Sequence, residues 1–538
     1  MERFAALIDA LVYTRSRNEK LRLIAKYLRN TPDPDRGWAL AALSDGLDFP
    51  AVKSSTIRNL LKDRIDPVLW TLSRDFVGDT AETASLLWPQ SSATPDAHPD
   101  PPTVSGTVEL LGAMTRKSAM TELPRLLDRL DPSGRFALLK LATGGMRIGV
   151  SSRLAKTAFA QAFDVPIEQV EEYWHGLAPP YPELFAWAAL GEDPPDLENL
   201  PTFRPFMLAH PLEDTKVDLA EYVAEWKWDG IRVQLVRAGE EIRVYSRSGD
   251  DISASFPELL GALPFPAVLD GELLVRGAHQ GGEQGGAASF NALQQRLGRK
   301  TVSRKMRTDF PAFVRLYDVL LLEGEDLRPR EWTERRARLE TLMERLPESH
   351  FDISPVVEAR DFEHLAEIRG GSRNEAIEGL MLKRRDSPYI TGRRVGHWYK
   401  WKRDPLLVDC VLMYAQRGSG KRSSFYSDYT FGCWDGDPDS DGLGGAELLP
   451  VGKAYSGFTD EELKKLDRHI RQNTVNRFGP VRETDKSLVF EVAFDSVHES
   501  KRHKSGLAMR FPRIHRIRWD KPPHEADRVE ALRALIAD

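Results

Sequence analysis

Residues 224–234 read AEWKWDGIRVQ and place Lys227 in the middle of an apolar, strand-like run. A lysine is costly to bury because its charge must be desolvated, so one placed there has a partner or a job, and the job open to an amine is nucleophilic attack. Charge recurs in the same manner downstream. LDGELL carries Glu272, LYDVLL carries Tyr317 and Asp318, EGLMLK carries Glu378 and Lys383, and WYKWKR carries Lys400 and Lys402. Each lies in or beside an apolar run rather than on a solvated face. Several charges at buried edges within one stretch of chain require a shared site.

The whole chain frames that stretch. With 538 residues, 41% hydrophobic and 29% charged, it is long enough for about three domains with cores of their own, which argues against disorder throughout. The formal charge is −6, from 75 basic and 81 acidic residues, so no global field recommends nucleic acid and local clusters must carry that argument. Only Cys410 and Cys433 are present. Two cysteines exclude a disulfide framework and a four-cysteine zinc module, and they read as strand residues filling core space. The opening MERFAALIDALVYTR spaces Phe4, Leu7, Ile8, Leu11 and Val12 as a helix would but is interrupted by charge, unlike a signal peptide. No later segment is apolar for long enough to span a bilayer, and the expectation is a soluble, intracellular protein.

The elements that must position the charged residues form the second of three zones. Residues 1–202 repeat apolar positions every three or four residues, as in LIDALVYTRSRNEKLRLIAKYL and ELPRLLDRLDPSGRFALLKLA, and predict an all-helical domain. Within it PQSSATPDAHPDPP (Pro89–Pro102) reads as a connection, because prolines remove donors and fix φ. Residues 203–404 hold the short β-rich runs EWKWDGIRVQLV, EIRVYSRSG, AVLDGELLV and RLYDVLLL and the helical EWTERRARLETLMERL, predicting a mixed domain around antiparallel strands. Residues 405–538 hold VDCVLMYAQ, YTFGCWD, SLVFEVAFDSV and IHRIRW between Gly and Asp turns. They predict a small β-barrel, the five-stranded nucleic-acid-binding barrel being one such fold, ending in the helix DRVEALRALIAD. The fold class expected is multidomain α+β.

Two short segments mimic ligand loops and fail, the first also because position 415 is Ala where such a loop begins with glycine. GSGKRSS (Gly418–Ser424) has Arg422 where a phosphate-cradling loop needs Ser or Thr, and reads as a basic hairpin tip. DPDSDGLGGAEL (Asp437–Leu448) ends in Leu448 where a calcium loop needs glutamate, and reads as a solvated turn.

Together the charged segments resemble the covalent nucleotidyltransferases, and their order and spacing are similar to those of the ATP-dependent DNA ligases, five of whose motifs match within residues 225–403. TGGMRIGVSSRLAKTAFAQAF (Thr143–Phe163) is similar to that family's helical DNA-binding domain, and GLAMRFPRIHRIRWDK (Gly506–Lys521) to the last motif of its C-terminal OB-fold barrel. The resemblance implies a helical DNA-binding domain over 1–202, an adenylation domain of antiparallel sheets over 203–404 and an OB-fold over 405–538.

It also implies roles. Lys227 would take AMP from ATP, which requires an unprotonated amine, and cations such as Lys400 and Lys402 disfavour the ammonium form and can hold the α-phosphate oxygens. Glu272, beside the nucleotide, and Glu378 would offer hard oxygen donors to magnesium, or manganese in its place. Tyr317, where the family usually has phenylalanine, would stack on adenine, and Glu225 would accept from the exocyclic amine. Arg232, and Arg247 in SRSG, would contact ribose or the nicked strand's 5′-phosphate. For Arg247, Asp318 and Lys383 a structural ion pair is an equal alternative. Asp229 and Gly230 shape the turn after the lysine.

The stretch KRHKSGLAMRFPRIHRIRWDK (Lys501–Lys521) holds eight Lys or Arg against one acid, and Arg516 and Arg518 alternate with Ile517 and Trp519 as a strand with one buried side would. By resemblance Arg510, Arg516, Arg518 and Lys521 would meet ATP phosphates and then DNA phosphates as the barrel swings about a hinge near Arg403–Leu406. Arg147, Arg153 and Lys156 are candidates for the phosphates of duplex DNA, or else surface helix charges.

The expectation is therefore a three-step sealing of nicks in duplex DNA by a monomer of a bacterial or archaeal cytoplasm, near the nucleoid, in repair, replication or recombination. An NAD-dependent ligase would need four zinc cysteines. RNA ligases and capping enzymes leave the large helical front part unexplained. A non-catalytic scaffold would not need Lys227, Glu272, Glu378, Lys400 and Lys402 together.

Overall fold

The computed structural model describes all residues except 63, 90–101, 145, 198–199, 214–216, 278–285, 289–292, 298, 300, 372–375, 419–424, 439–445, 501–502 and 537–538. Most of the Pro89–Pro102 connection and of the two loop mimics lies outside the described residues. The chain forms two compact units. One comprises Met1–Phe49, Asp100–Ala113 and Gly144–Arg403, the other Pro50–Pro99, Met114–Thr143 and Asp404–Asp538, so the N-terminal helices are shared between them. Among the described residues no helix is long and apolar enough to cross a membrane.

In the first unit Arg17–Asn30 and Ser152–Phe163 pack together. Each begins at a serine, Ser16 or Ser151, whose side chain accepts the amide of the third helical residue, Glu19 or Leu154. Lys20 lies on the buried face of the first of these helices and spends its charge on the carbonyls of Ile148 and Gly149, at 2.6 and 2.9 Å. It thereby pins the MRIGV loop, in which Arg147 takes φ 51° and Gly149 φ 69°.

The rest of this unit is two sheets. The larger orders Glu241–Ser246, Ile231–Ala238, Ala267–Val275, Ala312–Leu322 and Glu325–Asp326, with Phe351–Ile353 parallel to the fourth. The smaller orders Val356–Val357, Tyr222–Trp228, Ile377–Arg384, Trp398–Lys402 and His210–Pro211. Tyr222–Trp228 passes from the smaller sheet into the larger through the Asp229–Gly230 turn. A Cβ on Gly230 would stand 2.5 Å from the Leu273 carbonyl oxygen, so this turn lies directly on the Glu272 strand. Between the sheets pack Phe206, Val223, Val236, Val268, Leu320 and Trp398. A second core, including Leu235, Leu269 and Val314, fills the outer face of the larger sheet.

Register then decides which side chains meet. Glu225 stands opposite Met381, which stands opposite Lys400, and two residues along Lys227 stands opposite Gly379, opposite Lys402. Both rows share the parity of Val223 and Trp398 and so belong to the face turned toward the larger sheet. Besides a bulge at Leu320, two bulges interrupt the pairing at the cleft. The register jumps from Ile377 to Gly379, leaving Glu378 as the extra residue, and from Asp318 to Leu316, leaving Tyr317. A bulge re-aims the side chain it carries.

The second unit holds helices within 54–87 and 116–143 and the predicted barrel. Leu406–Arg417 pairs on one side with Tyr426–Trp434 and on the other with Val489–Phe494 and Val481–Thr484, and Val489–Phe494 continues to Arg513–Arg518. Its core gathers Val408, Cys410, Leu412, Ala415, Phe431 and Phe490. Cys410 and Cys433 are buried there as free thiols with sulfurs 3.5 Å apart. The C-terminal helix spans Val529–Arg533 and puts Val529 and Leu532 into this core. A bulge lies between Ile514 and Arg516, after which Arg516 and Arg518 alternate with buried Ile517 as expected, but the strand ends at Arg518, before Trp519. Ile514 and Ile517 point inward, whereas Trp519 is 39% exposed, with Lys465 Nζ 4.1 Å from its ring centroid.

Two outcomes follow. Gly379 has φ 149° and a Cβ there would sit 2.3 Å from the Trp401 carbonyl oxygen, so Gly379→Ala should lower stability by about 1–3 kcal/mol in urea titration. His175 packs edge-on against Phe203 and beneath Gly249, and burial, then the charge of Lys156, push its pKa down to about 3. Below the ordinary value of 6.5 the unfolded chain takes a proton that folded His175 refuses, so stability falls as the pH falls from 6.5 toward 3. His175→Phe should remove about 2 kcal/mol of that loss at pH 5, read as the difference between urea titrations at pH 7 and pH 5.

Candidate active site

The cleft between the two sheets is lined by alternate residues of strands whose other faces are core, which is why its members recur at intervals of two in the sequence. Lys227 has a partner: its Nζ lies 2.6 Å from Glu378 Oε2, and Lys402 Nζ lies 3.3 Å from the same oxygen. Both members of the first pair are about four-fifths covered, with side chains 23% and 21% exposed. Burial raises the Glu378 carboxyl and the two lysines more than reverse this, leaving it below its ordinary value. Lys400 is lowered by burial first and then by Arg393, Lys402, Lys227 and Arg247. This cluster of cations against two carboxylates suits an anionic, phosphate-bearing ligand.

Glu272 is the one residue of Ala267–Val275 that is not fully buried. Burial pushes its carboxyl up to about 7; Lys227 and Arg232 oppose the shift, while Glu378 and Asp270 add to it. Its carboxylate forms no hydrogen bond or ion pair among the described residues. A hard oxygen donor lacking a direct cationic partner, beside a second carboxylate, fits a divalent cation. No cluster of three or more His, Cys, Asp or Glu forms among the described residues, so phosphate oxygens and water would have to complete the shell.

Tyr317 and Glu225 enclose the far end of the cleft. Lys383 Nζ lies 4.7 Å from the Tyr317 ring centroid and 2.8 Å from Glu225 Oε2. Glu225 is 1% exposed and also meets Arg336, 3.4 Å from its other oxygen. Lys383 is thus a buried ion pair, as Asp318 is with Arg335, bidentate at 2.7 and 3.0 Å.

Several expected contacts are placed differently. Arg232 forks onto Asp270 at 3.1 and 2.7 Å and donates to the Met207 carbonyl and the Tyr389 hydroxyl, so these four bonds hold it in the wall of the cleft. Arg247 is exposed in the turn at Ser246–Gly249, close enough to repel Lys400. Lys156 is corrected outright as a surface contact: it is 8% exposed, 4.8 Å from the Trp174 ring centroid, and burial lowers it to about 8. Arg147 is exposed, and Arg153, also exposed, lies 3.4 Å from Glu171.

In the second unit the basic run acquires acids that are distant in sequence. Arg516 and His515 meet Glu491, Arg513 meets Asp495, and Arg518 and Lys521 both meet Asp409. Arg518 also meets its neighbour Asp520. Arg510 is partly buried and stands over its neighbour Phe511. The face is therefore far closer to neutral than eight cations against one acid suggested. Sequence reasoning also missed Arg393, Arg336, Asp270 and Tyr389. Arg393 lay in plain view in TGRRVGHWYK; Arg336 had no signal, being one of several arginines on a helix.

Comparison with known proteins gives the family. Residues 206–402 match the family described as ATP dependent DNA ligase domain, and residues 422–521 match the ATP dependent DNA ligase C terminal region. A probable DNA ligase of Koribacter versatilis is 31% identical, the alignment covering 98% of this chain and 95% of that one. DNA ligase 1 of Korarchaeum cryptofilum is 30% identical over 99% and 98%. A solved structure named Pmar-Lig_Pre has the same fold, with a TM-score of 0.57 at 16% identity, covering 96% of this chain and 99% of that one. On this evidence the chain belongs to the ATP-dependent DNA ligase family.

Proposed function

We propose that the family's reaction, ATP-driven sealing of a nick in duplex DNA, runs in this chain through Lys227. The observation that carries the reading is the row of Lys227, Glu378 and Lys402 on the cleft face, with Lys400 and Glu272 beside it. The Lys227 nitrogen gives up a proton and attacks the α-phosphorus of ATP; the N–P bond forms and the bond to pyrophosphate breaks. An oxygen of the nick's 5′-phosphate then attacks that phosphorus, and lysine leaves and regains its proton. Finally the adjacent 3′-hydroxyl attacks the 5′-phosphorus, losing its proton as AMP departs.

Phosphoryl transfer gains its rate from positioning and charge neutralisation, and Lys400 and Lys402 supply both at the α-phosphate oxygens. Magnesium, held by Glu272 and Glu378, would neutralise the leaving pyrophosphate. Tyr317 is the platform for the base and Glu225 the acceptor for its amino group. Exposed Arg147 and Arg153 and the basic strand of the second unit are proposed contacts to DNA phosphates, which carry no sequence information and weaken with salt.

Incubation with ATP labelled at the α-phosphate should leave the denatured wild-type protein labelled and Lys227→Ala unlabelled, while the variant still seals a nick that is already adenylated. Label on the variant would show that another group is the nucleophile. Lys400→Ala and Lys402→Ala should each lower the rate of labelling about a hundredfold, and chelation of divalent cations should abolish it.

A further inference from the structure

Glu225 is held more tightly than an acceptor of one hydrogen bond requires. Each of its oxygens faces a different cation: Lys383 Nζ at 2.8 Å on one side and Arg336 Nη1 at 3.4 Å on the other. Lys383 is itself 1% exposed, with its Nζ 4.7 Å from the ring centroids of both Tyr317 and Trp398 and 3.5 Å from the Tyr317 carbonyl oxygen. Arg336 reaches in from the helix Trp332–Met343 and is fixed there by the Ser354 carbonyl at 2.9 Å and Glu340 at 2.8 Å. A methionine would fill the space of Lys383 without the cost of desolvating a charge. The ammonium therefore acts through its neighbours, and those neighbours are the two groups that would address the base.

From these contacts we propose that Lys383, seconded by Arg336, is a positioning and specificity residue: it holds Glu225 as a pure acceptor beside the Tyr317 ring, so that a purine with an exocyclic amine is taken in preference to one with a carbonyl at that place. The inference rests on the reading of Glu225 and Tyr317 given above. A buried carboxyl without cations takes up a proton and becomes a donor as well as an acceptor, which would let it pair with a carbonyl oxygen. Burial leaves the Glu225 carboxyl above its ordinary value, and Lys383 first and then Arg336 oppose that push; at 2.8 and 3.4 Å each cation faces one oxygen, which favours the ionised form that only accepts. Lys383 also helps to fix the ring, its Nζ 4.7 Å from the centroid anchoring it by cation–π attraction.

The test measures lysyl-nucleotide formation from α-labelled ATP and GTP in wild type, Lys383→Met, Lys383→Arg, Arg336→Met and Glu225→Gln, with a thermal melt of each. Lys383→Met should raise the KM for ATP about 10- to 100-fold with a smaller change in kcat and narrow the preference for ATP over GTP in proportion. Lys383→Arg should restore part of that preference, and Arg336→Met should move it less in the same direction. Folded Lys383→Met and Arg336→Met proteins with wild-type KM and preference, beside a Glu225→Gln protein that has lost both, would overturn the inference. A Glu225→Gln protein that keeps the preference would overturn the reading of Glu225 as the base contact, and this inference with it. If Lys383→Met does not melt cooperatively, Arg336→Met decides: an unchanged preference overturns the proposal and a narrowed one supports it.

Discussion

The contact between the Lys227 ammonium and the Glu378 carboxylate is the constraint around which the cleft is arranged. Taking either charge out of water alone would cost several kcal/mol, and removing one partner of a buried pair typically costs about 3–5 kcal/mol, less here because both side chains retain about a fifth of their exposure. The pair lets a reactive lysine stay in an apolar cleft before any ligand arrives. Lys402 on the same oxygen leaves the group net positive. The resting site therefore already carries the charge that a phosphate would neutralise.

Backbone irregularity aims these groups. In an unbroken ladder successive side chains alternate between faces, and Glu378 would turn away from Lys227 if Gly379 shared its row. The bulge at Glu378 brings the carboxylate back, and Gly379 is tolerated at φ 149° only because it has no Cβ to strike the Trp401 carbonyl. The bulge at Tyr317 re-aims its ring in the same way on the other sheet. Two groups on opposite walls of the cleft are thus each delivered by one extra residue in a strand.

What could be read in the sequence follows from this. Lys227, Glu272, Lys400 and Lys402 were legible because a charge inside an apolar run has few explanations, and the strands that hold them were legible from apolar runs bounded by turns. The helices and the barrel were legible for the same reason. The bulges left no signal, since one extra residue does not change composition or period. Partners were illegible wherever they lay far along the chain: Arg336 for Glu225, Asp270 for Arg232, Asp409 and Glu491 for the basic strand. Lys156 misled because a lysine on a helix usually faces water, whereas here the helix turns it against Trp174. Likewise Trp519 misled because the strand ends at Arg518, and past its end alternation no longer decides which side a residue faces.

The acids on the basic strand bear on how a chain of formal charge −6 can act on a polyanion. A cation already paired with a carboxylate releases no counterion of its own when a phosphate replaces that carboxylate, so each pre-formed pair subtracts from the salt dependence that a bare count of lysines and arginines would give. Arg516 and Arg518 are committed in this way to Glu491, Asp409 and Asp520, whereas Arg147 and Arg247 stand exposed on the first unit. The paired set also costs less to keep beside other cations before DNA arrives, because its acids screen the repulsion. Were both sets to meet DNA as proposed, the exposed arginines would set the strength of the first encounter, and the paired strand would contribute where a phosphate is held closely enough to displace a carboxylate.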